Sequence, residues 1–237
     1  MKILALETSA KAVSAAVVED GKLLASGYQD TGLTHSRTLM PIVEHLFKNT
    51  DMQLSDMDAV AVARGPGSFT GIRIGVAAAK GLALAAEKPV IGVSTLEAMA
   101  WNVAHVDGLI LCAMDARRSQ IYNAVFEAGN GRPVRRSPDR AIALEELAAG
   151  LAGDASPKIL VGDGAALCFR YLTERGIPCR LAPPHLLMQS AASVGFAAET
   201  AARSGELQTA QELVPVYLRL SQAERERNER LKKEQMK

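Results

Sequence analysis

Gly65, Gly67, Gly71 and Gly75 punctuate the stretch ARGPGSFTGIRIG, and a glycine-rich turn that runs into an apolar segment can bring backbone N–H groups onto a phosphate. A P-loop needs Gly-x4-Gly-Lys-Ser/Thr, in which the lysine neutralises the phosphates and the hydroxyl holds magnesium. GPGSFTGIR has another spacing and no lysine, and GPGSFTG misses the dinucleotide fingerprint G-x-G-x-x-G by one residue. Two readings stay open. An anion could rest on the N–H groups that begin the following helix, where the helix end is partly positive, or the glycines serve backbone conformation alone.

Other residues able to do chemistry are sparse. Glu7, Asp115 and Asp163 fall at expected strand ends and are the carboxylates placed for metal–nucleotide work, although polar residues beside glycines are also ordinary turn formers. Ser9, Ser14 and Ser68 have no evident histidine and acid partners for nucleophilic catalysis. No two of His35, His45, His105 and His185 are spaced as ligands on one helical turn, so no metal site is expected. Cys112, Cys168 and Cys179 lack a C-x-x-C pair, which suits a reducing compartment and argues against a disulfide frame or a thiolate zinc site.

The elements that must position these residues follow from periodicity. KILAL and AVSAAVV read as strands, and EDGK carries the Asp-Gly hairpin signal into LLASGYQ, giving a three-stranded meander. Leu39, Met40, Val43, Leu46 and Phe47 recur at helical spacing behind Thr34 or Ser36, predicting a helix over 35–48 that Pro41 kinks or opens. MDAVAVA is a short buried strand; after the glycine turn come a helix over 70–86, the strand PVIGVS and a helix from Ser94. The second half begins again with GLILCAMDARRSQIYNAVFEAGNGRPVRRS as strands, ALEELAAGLA as a helix, KILVGDGA as a strand and a helix over 164–176. A helix over 189–204, an extended VPVYLRL and the charged SQAERERNERLKKEQMK complete the chain. Two halves of one pattern predict a duplicated α/β unit, divided near AHVDG into subdomains 1–105 and 106–222 with a tail at 223–237.

The helix over 70–86 has no obvious solvent side. Ile72, Ile74, Val76, Leu82 and Leu84 point all round it with alanines between, so it must be covered on both sides. It is either a central core helix or a helix shared between its own sheet and a partner subunit. With 237 residues, 48% of them hydrophobic, the chain can fill a core, and 27 basic against 26 acidic residues give a net charge of +1 that calls for neither nucleic acid nor an anionic membrane. No leader and no uninterrupted apolar run of roughly 20 residues is read, so a cytoplasmic protein is expected.

ILALETSA, HSRTLMPIVEHL, ARGPGSFTGIRIG, GVSTLEAMA and DARRSQIYNAVF, in this order, resemble the bacterial TsaB (YeaZ) family from Met1 to about Arg219. The resemblance implies the actin-like, Hsp70-like and sugar-kinase-like (ASKHA) ATPase fold, with two duplicated α/β subdomains of which the second is reduced. It also implies a place beside TsaD, the enzyme that forms N6-threonylcarbamoyladenosine next to the anticodon of tRNAs reading codons that begin with A; TsaE, an ATPase, joins that assembly. In the paralogous TsaD a Gly-Val-Asn-His-Met-Glu-Gly-His segment supplies two histidines to the catalytic metal. GVSTLEAM stands there in this chain, with Thr95 and Met99 at the histidine positions. A neutral hydroxyl and a thioether do not replace imidazole toward a hard or borderline divalent ion.

The resemblance therefore implies a non-catalytic subunit with no metal and no cofactor of its own. Together with periodicity, it points to Leu39, Met40, Val43, Phe47, Ile72, Val76 and Ala79 as contacts with TsaD, or with a second copy when the chain is alone. tRNA would be reached mainly through the complex, and no membrane is involved. The alternative is a weak nucleotide-binding ATPase, with Glu7, Thr8 and Ser9 near the phosphates of ATP or ADP and VGDGA near the adenosine.

Overall fold

The computed structural model describes residues 1–117 and 119–219; the predicted tail, 223–237, lies outside them. The first half runs β1 (Lys2–Glu7), β2 (Val13–Glu19), β3 (Lys22–Gln29), α1 (His35–Thr50), β4 (Ala59–Gly65), α2 (Phe69–Ala86), β5 (Val90–Ser94) and α3 (Thr95–Trp101). Its sheet has the order β3-β2-β1-β4-β5, antiparallel through the meander and parallel from β1 to β5. The second half supplies β6 (Gly108–Asp115), β7 (Gln120–Gly129), β8 (Arg132–Arg135), β9 (Arg140–Ala143), α4 (Leu144–Gly150), β10 (Lys158–Val161), α5 (Ala165–Thr173), β11 (Arg180–Leu181), α6 (Pro184–Leu187) and α7 (Ala191–Arg203). The order β8-β7-β6-β10-β11, with β9 also on β7, repeats the first sheet strand for strand and sense for sense. The duplicated unit is thus present; the second copy has one strand more but shorter helices, and its edge strand β11 has two residues.

The central strands are apolar on both sides because helices cover both faces. Leu4, Leu6, Val60 and Val62 pack with Leu39, Val43, Ile72 and Val76 of α1 and α2, whereas the alternate positions Ile3, Ala5, Ala59, Ala61 and Ala63 pack under α7. Small residues dominate that second face because α7 lies close: a Cβ on Gly195 would strike Val18 and touch Ala5. Two side chains hold α7 there. The Glu199 carboxylate accepts the Gly21 N–H through both oxygens, at 3.0 and 2.9 Å, and the Ser14 hydroxyl accepts the Ala191 N–H at 2.9 Å.

Packing therefore divides the molecule differently from chain order. α7 and the buried Ala210 and Leu213 belong to the first sheet, while α3 turns Leu96 and Met99 into the core of the second. The two lobes exchange a helix, so a single boundary at 104–108 describes the sequence and not the packing. Pro41 lies inside α1, and Thr34 is its N-cap without a side-chain cap bond. Residues 214–219 of VPVYLRL form no strand; within them the Val216 N–H donates to the Arg64 carbonyl at 2.7 Å.

Candidate functional site

The end of β1 and the start of α2 meet at the floor of a cleft between the lobes. Ser68 caps α2 by accepting the Gly71 N–H, its own N–H donates to the Ser9 carbonyl at 2.7 Å, and the Thr8 hydroxyl donates to the Gly71 carbonyl at 2.8 Å. A Cβ on Gly71 would collide with the Thr8 carbonyl, one on Gly75 with the Thr8 hydroxyl, and one on Gly67 with the Ser9 carbonyl. The glycines of the turn are filled by the chain's own backbone. Close approach of Thr8 and Ser9, just past β1, accounts for Gly67, Gly71 and Gly75, so the phosphate question passes to the cleft above.

That cleft has a volume of about 660 Å³ and is lined by Ser9, Lys11, Asp115, Arg117 and Asp163 among others. Glu7, Thr8 and Ser9 beneath it are fully buried. Burial pushes the Glu7 carboxyl up to about 7 against the Ser9 hydrogen bonds, and the Asp163 charge adds to the rise. Burial likewise raises Asp163, which accepts from the Gln189 amide at 3.0 Å. Glu7 Oε2, Ser9 Oγ and Gln189 Oε1 are buried without a hydrogen-bond partner. Among the described residues no group of three or more His, Cys, Asp or Glu side chains is gathered for a metal, so Glu7, Asp115 and Asp163 do not form one ligand set. Ser14 and Ser68 are occupied by the Ala191 and Gly71 amides. Burial raises all three cysteine thiols, most strongly Cys112. Thr95 and Met99 lie inside α3 at 0% and 1% exposure, in an interior shared with β6, β7 and β10.

Five of the seven expected contact residues face the chain's own sheet. Leu39, Val43, Ile72, Val76 and Ala79 are 0–4% exposed and face the chain's own first sheet; Phe47 is half-buried against the same core, and Met40 alone of the seven is exposed. The correction has a physical cause: a helix that is apolar all round carries no phase, so periodicity names its apolar positions without saying which of them the sheet takes.

The sheet takes Ile72, Val76, Ala79 and Ala83. What remains outside is Thr70, Arg73, Ala77, Gly81, Leu84 and Ala85, flanked by half-buried Ile74 and Ala78. Leu84 is 58% exposed, and a Cβ on Gly81 would meet nothing within 4 Å. On α1 the exposed positions are Ser36, Arg37, Met40, Pro41, Glu44, His45, Lys48 and Asn49. The signal that could have found the outer face is Gly81, a mid-helix glycine that costs about 1 kcal/mol relative to alanine and serves no turn. By length and composition alone α2, with 18 residues, would pass as apolar enough to cross a membrane, but Arg73 and Lys80 interrupt it and it is seated on β4 as a helix packed on a sheet.

Comparison with known proteins adds to this geometry. Residues 29–226 match the family model described as TsaD, tRNA N6-adenosine threonylcarbamoyltransferase. The chain is 33% identical over 228 residues to the tRNA threonylcarbamoyladenosine biosynthesis protein TsaB of Bacillus subtilis, covering 94% of this chain and 96% of that protein. Among solved structures, YeaZ from Pseudomonas aeruginosa superposes with a TM-score of 0.79 at 30% identity, over 92% of this chain and 99% of that one. A hexokinase of the ROK type from Thermus thermophilus superposes with a TM-score of 0.50 at 15% identity, over 86% of this chain and all of that one, a likeness of fold alone. The two-lobed α/β architecture is one this chain shares, as a fold, with that sugar kinase.

Proposed function

Because the chain belongs to the TsaB family, whose curated members are tRNA threonylcarbamoyladenosine biosynthesis proteins, we propose that it is a non-catalytic partner subunit of a TsaD-type threonylcarbamoyltransferase. The observation that carries this reading is the outer side of α2, where Ala77, Gly81 and Leu84 are exposed on a helix with few polar residues. Small residues let another helix approach closely, and covering Leu84 removes apolar surface from water. α1 flanks this face with Met40, Pro41 and a charged rim of Arg37, Glu44 and Lys48. A second copy docks on the same face when the catalytic partner is absent, TsaE joins the assembly, and tRNA is met through the complex in the cytoplasm.

Mixing the chain with its cognate TsaD and measuring mass in solution tests the reading. A one-to-one complex that Leu84→Glu abolishes is expected, and a complex that survives Leu84→Glu unweakened removes α2 from the interface. The buried Thr95 and Met99 support the absence of a catalytic metal. Elemental analysis of the untagged protein is expected to find no stoichiometric zinc or iron, and one tightly held equivalent overturns that part of the reading.

A second reading, weak ATP or ADP binding, has one observation behind it. The cleft of about 660 Å³ opens on Lys11 and Arg117 beside the residues that start α2. Isothermal titration of ATP with magnesium decides it, and no heat at millimolar nucleotide ends it.

A further inference from the structure

Residues 216–219 line the cleft, and the segment 214–219 bonds to both of its sides. On the first lobe the Val216 N–H donates to the Arg64 carbonyl at 2.7 Å, and the Val216 carbonyl occupies the place a side chain on Gly65 would take. Gly65 has a φ of 123°, so it is a glycine for two reasons, backbone conformation and the seat it leaves for this segment. One residue further, the Tyr217 ring packs on Phe69 at the start of α2 with centroids 4.7 Å apart. Arg73 fixes the pair: its guanidinium lies 3.9 Å over the Phe69 ring, and its Nε donates to the Tyr217 hydroxyl at 3.0 Å. Arg219 then reaches the second lobe, where its guanidinium donates to the carbonyls of Ala116 and Arg117 in the turn between β6 and β7. That turn holds Arg117 in the left-handed region at a φ of 63°.

We propose that residues 214–219 are a latch that ties the β6–β7 turn to the start of α2 and closes the cleft mouth, so that release of Arg219 opens the cleft. The two anchors are of different kinds. Tyr217 is held by a ring stack, a cation over that stack and a charge-assisted hydrogen bond, all on the first lobe. Arg219 is held by backbone carbonyls of the second lobe. The Tyr217 end adds a ring stack and a cation to its hydrogen bond, whereas Arg219 has only its bonds to two carbonyls, so the Arg219 end is the one that lets go. In the latched state the aromatic pair and Arg219 form one wall of the cleft, continuous with Lys11 and Arg117.

Hydrogen exchange by mass spectrometry on the full chain tests the latch. Removing Arg219 as Arg219→Ala is expected to speed exchange by about tenfold or more both in residues 214–219 and in the turn 115–120, with β1 peptides unchanged. Arg219→Lys keeps the charge but not the fork of donors, and is expected to fall between the parent and Arg219→Ala. Tyr217→Phe keeps the stack and loses the bond to Arg73, and is expected to loosen 214–219 alone. The proposal is overturned by exchange of 214–219 at the unprotected rate in the parent protein. Acceleration confined to 214–219 in Arg219→Ala overturns it too, because the segment would then ride on the first lobe without tying it to the second.

Discussion

Gly75 and Gly81 lie in the same helix, and the space beside them differs: a side chain on Gly75 would strike the Thr8 hydroxyl and crowd Val62, whereas one on Gly81 would meet nothing within 4 Å. The inner side of α2 is a closed junction with β1 and β4, built from Gly71, Ile72, Gly75, Val76 and Ala79. Its outer side presents Arg73, Ala77, Gly81 and Leu84 to solvent. An identical residue type answers an internal demand on one side, while on the other nothing inside the chain asks for it. On the proposed reading, a glycine that its own molecule does not need leaves room for the helix of a docking partner.

The largest effect that could break this comparison is Val76→Arg. Val76 is 4% exposed beneath α2, and a guanidinium placed there without a partner costs several kcal/mol, a large fraction of a domain's stability. Thermal unfolding followed by circular dichroism is expected to show loss of the cooperative transition or a deep fall in Tm. Loss of partner binding in this variant would then report unfolding and not docking. A variant that melts like the parent would reverse the assignment of inner and outer sides.

The next effect probes the dryness of the inner junction. The buried Glu7 carboxyl titrates near 7 in the folded chain against an ordinary 4.5, chiefly because burial disfavours its charge. A raised carboxyl pKa means that the folded state binds the proton more tightly. The stability tied to that proton is fully present below pH 4.5, declines as the unfolded chain ionises, and is lost as pH rises through about 7. Glu7→Gln keeps an acceptor for the Ser9 N–H and removes the charge. Denaturant midpoints measured from pH 5 to 8.5 are expected to flatten across the pH range, with a gain of up to a few kcal/mol at the alkaline end. An unchanged slope would mean that water reaches the β1 end and the junction is open.

These two effects also mark what the sequence made legible. The strand meander, the Asp-Gly hairpin, both long helices and the repeat of the unit were readable because each rests on local periodicity or turn chemistry. The exchange of α3 and α7 between lobes was not, since nothing local in AASVGFAAETAAR states that Gly195 must slide over Val18. The glycine turn was legible as a turn and opaque as to its reason, because Thr8 and Ser9, which fill it, are distant in sequence. The burial of most of the expected contact residues was hidden for a sharper reason. Val76 and Ala77 are neighbours in a helix with hydrophobic residues on every side, and only the position of β4 decides which one is buried. Residues 214–219 read as a featureless extended segment because their partners, Arg64, Phe69, Arg73 and Ala116, come from both lobes.

On the outer side Ala77→Arg sharpens the comparison without touching the core. Ala77 is exposed, so the folded chain is expected to keep its stability to within about 0.5 kcal/mol. A charged, bulky side chain in the middle of a close helix contact should weaken complex formation at least tenfold, about 1.4 kcal/mol. Titration calorimetry or light scattering with TsaD reads the second quantity, and a thermal melt of the variant alone reads the first. A fall in both together would place Ala77 against its own chain.

The smallest change is Gly81→Ala, and it separates the two sides most cleanly because its two expected effects have opposite signs. In the isolated chain the new methyl group enters open space, so no contact is lost. Alanine restricts the unfolded backbone and favours the helix, and the exchange should raise stability by about 0.5 to 1 kcal/mol. In the complex the same methyl group stands where a facing backbone must pass, and overpacking of a close contact typically costs 1 to 3 kcal/mol. A chain that melts slightly later and binds TsaD more weakly is the expected outcome. At Gly75 the same substitution should destabilise the isolated chain, since its methyl group would collide with the Thr8 hydroxyl. If Gly81→Ala instead gains stability and binds as well as the parent, Gly81 has no neighbour at close range, and the docking face must shift toward Met40 and Pro41 of α1, which a charge at Met40 would then disrupt.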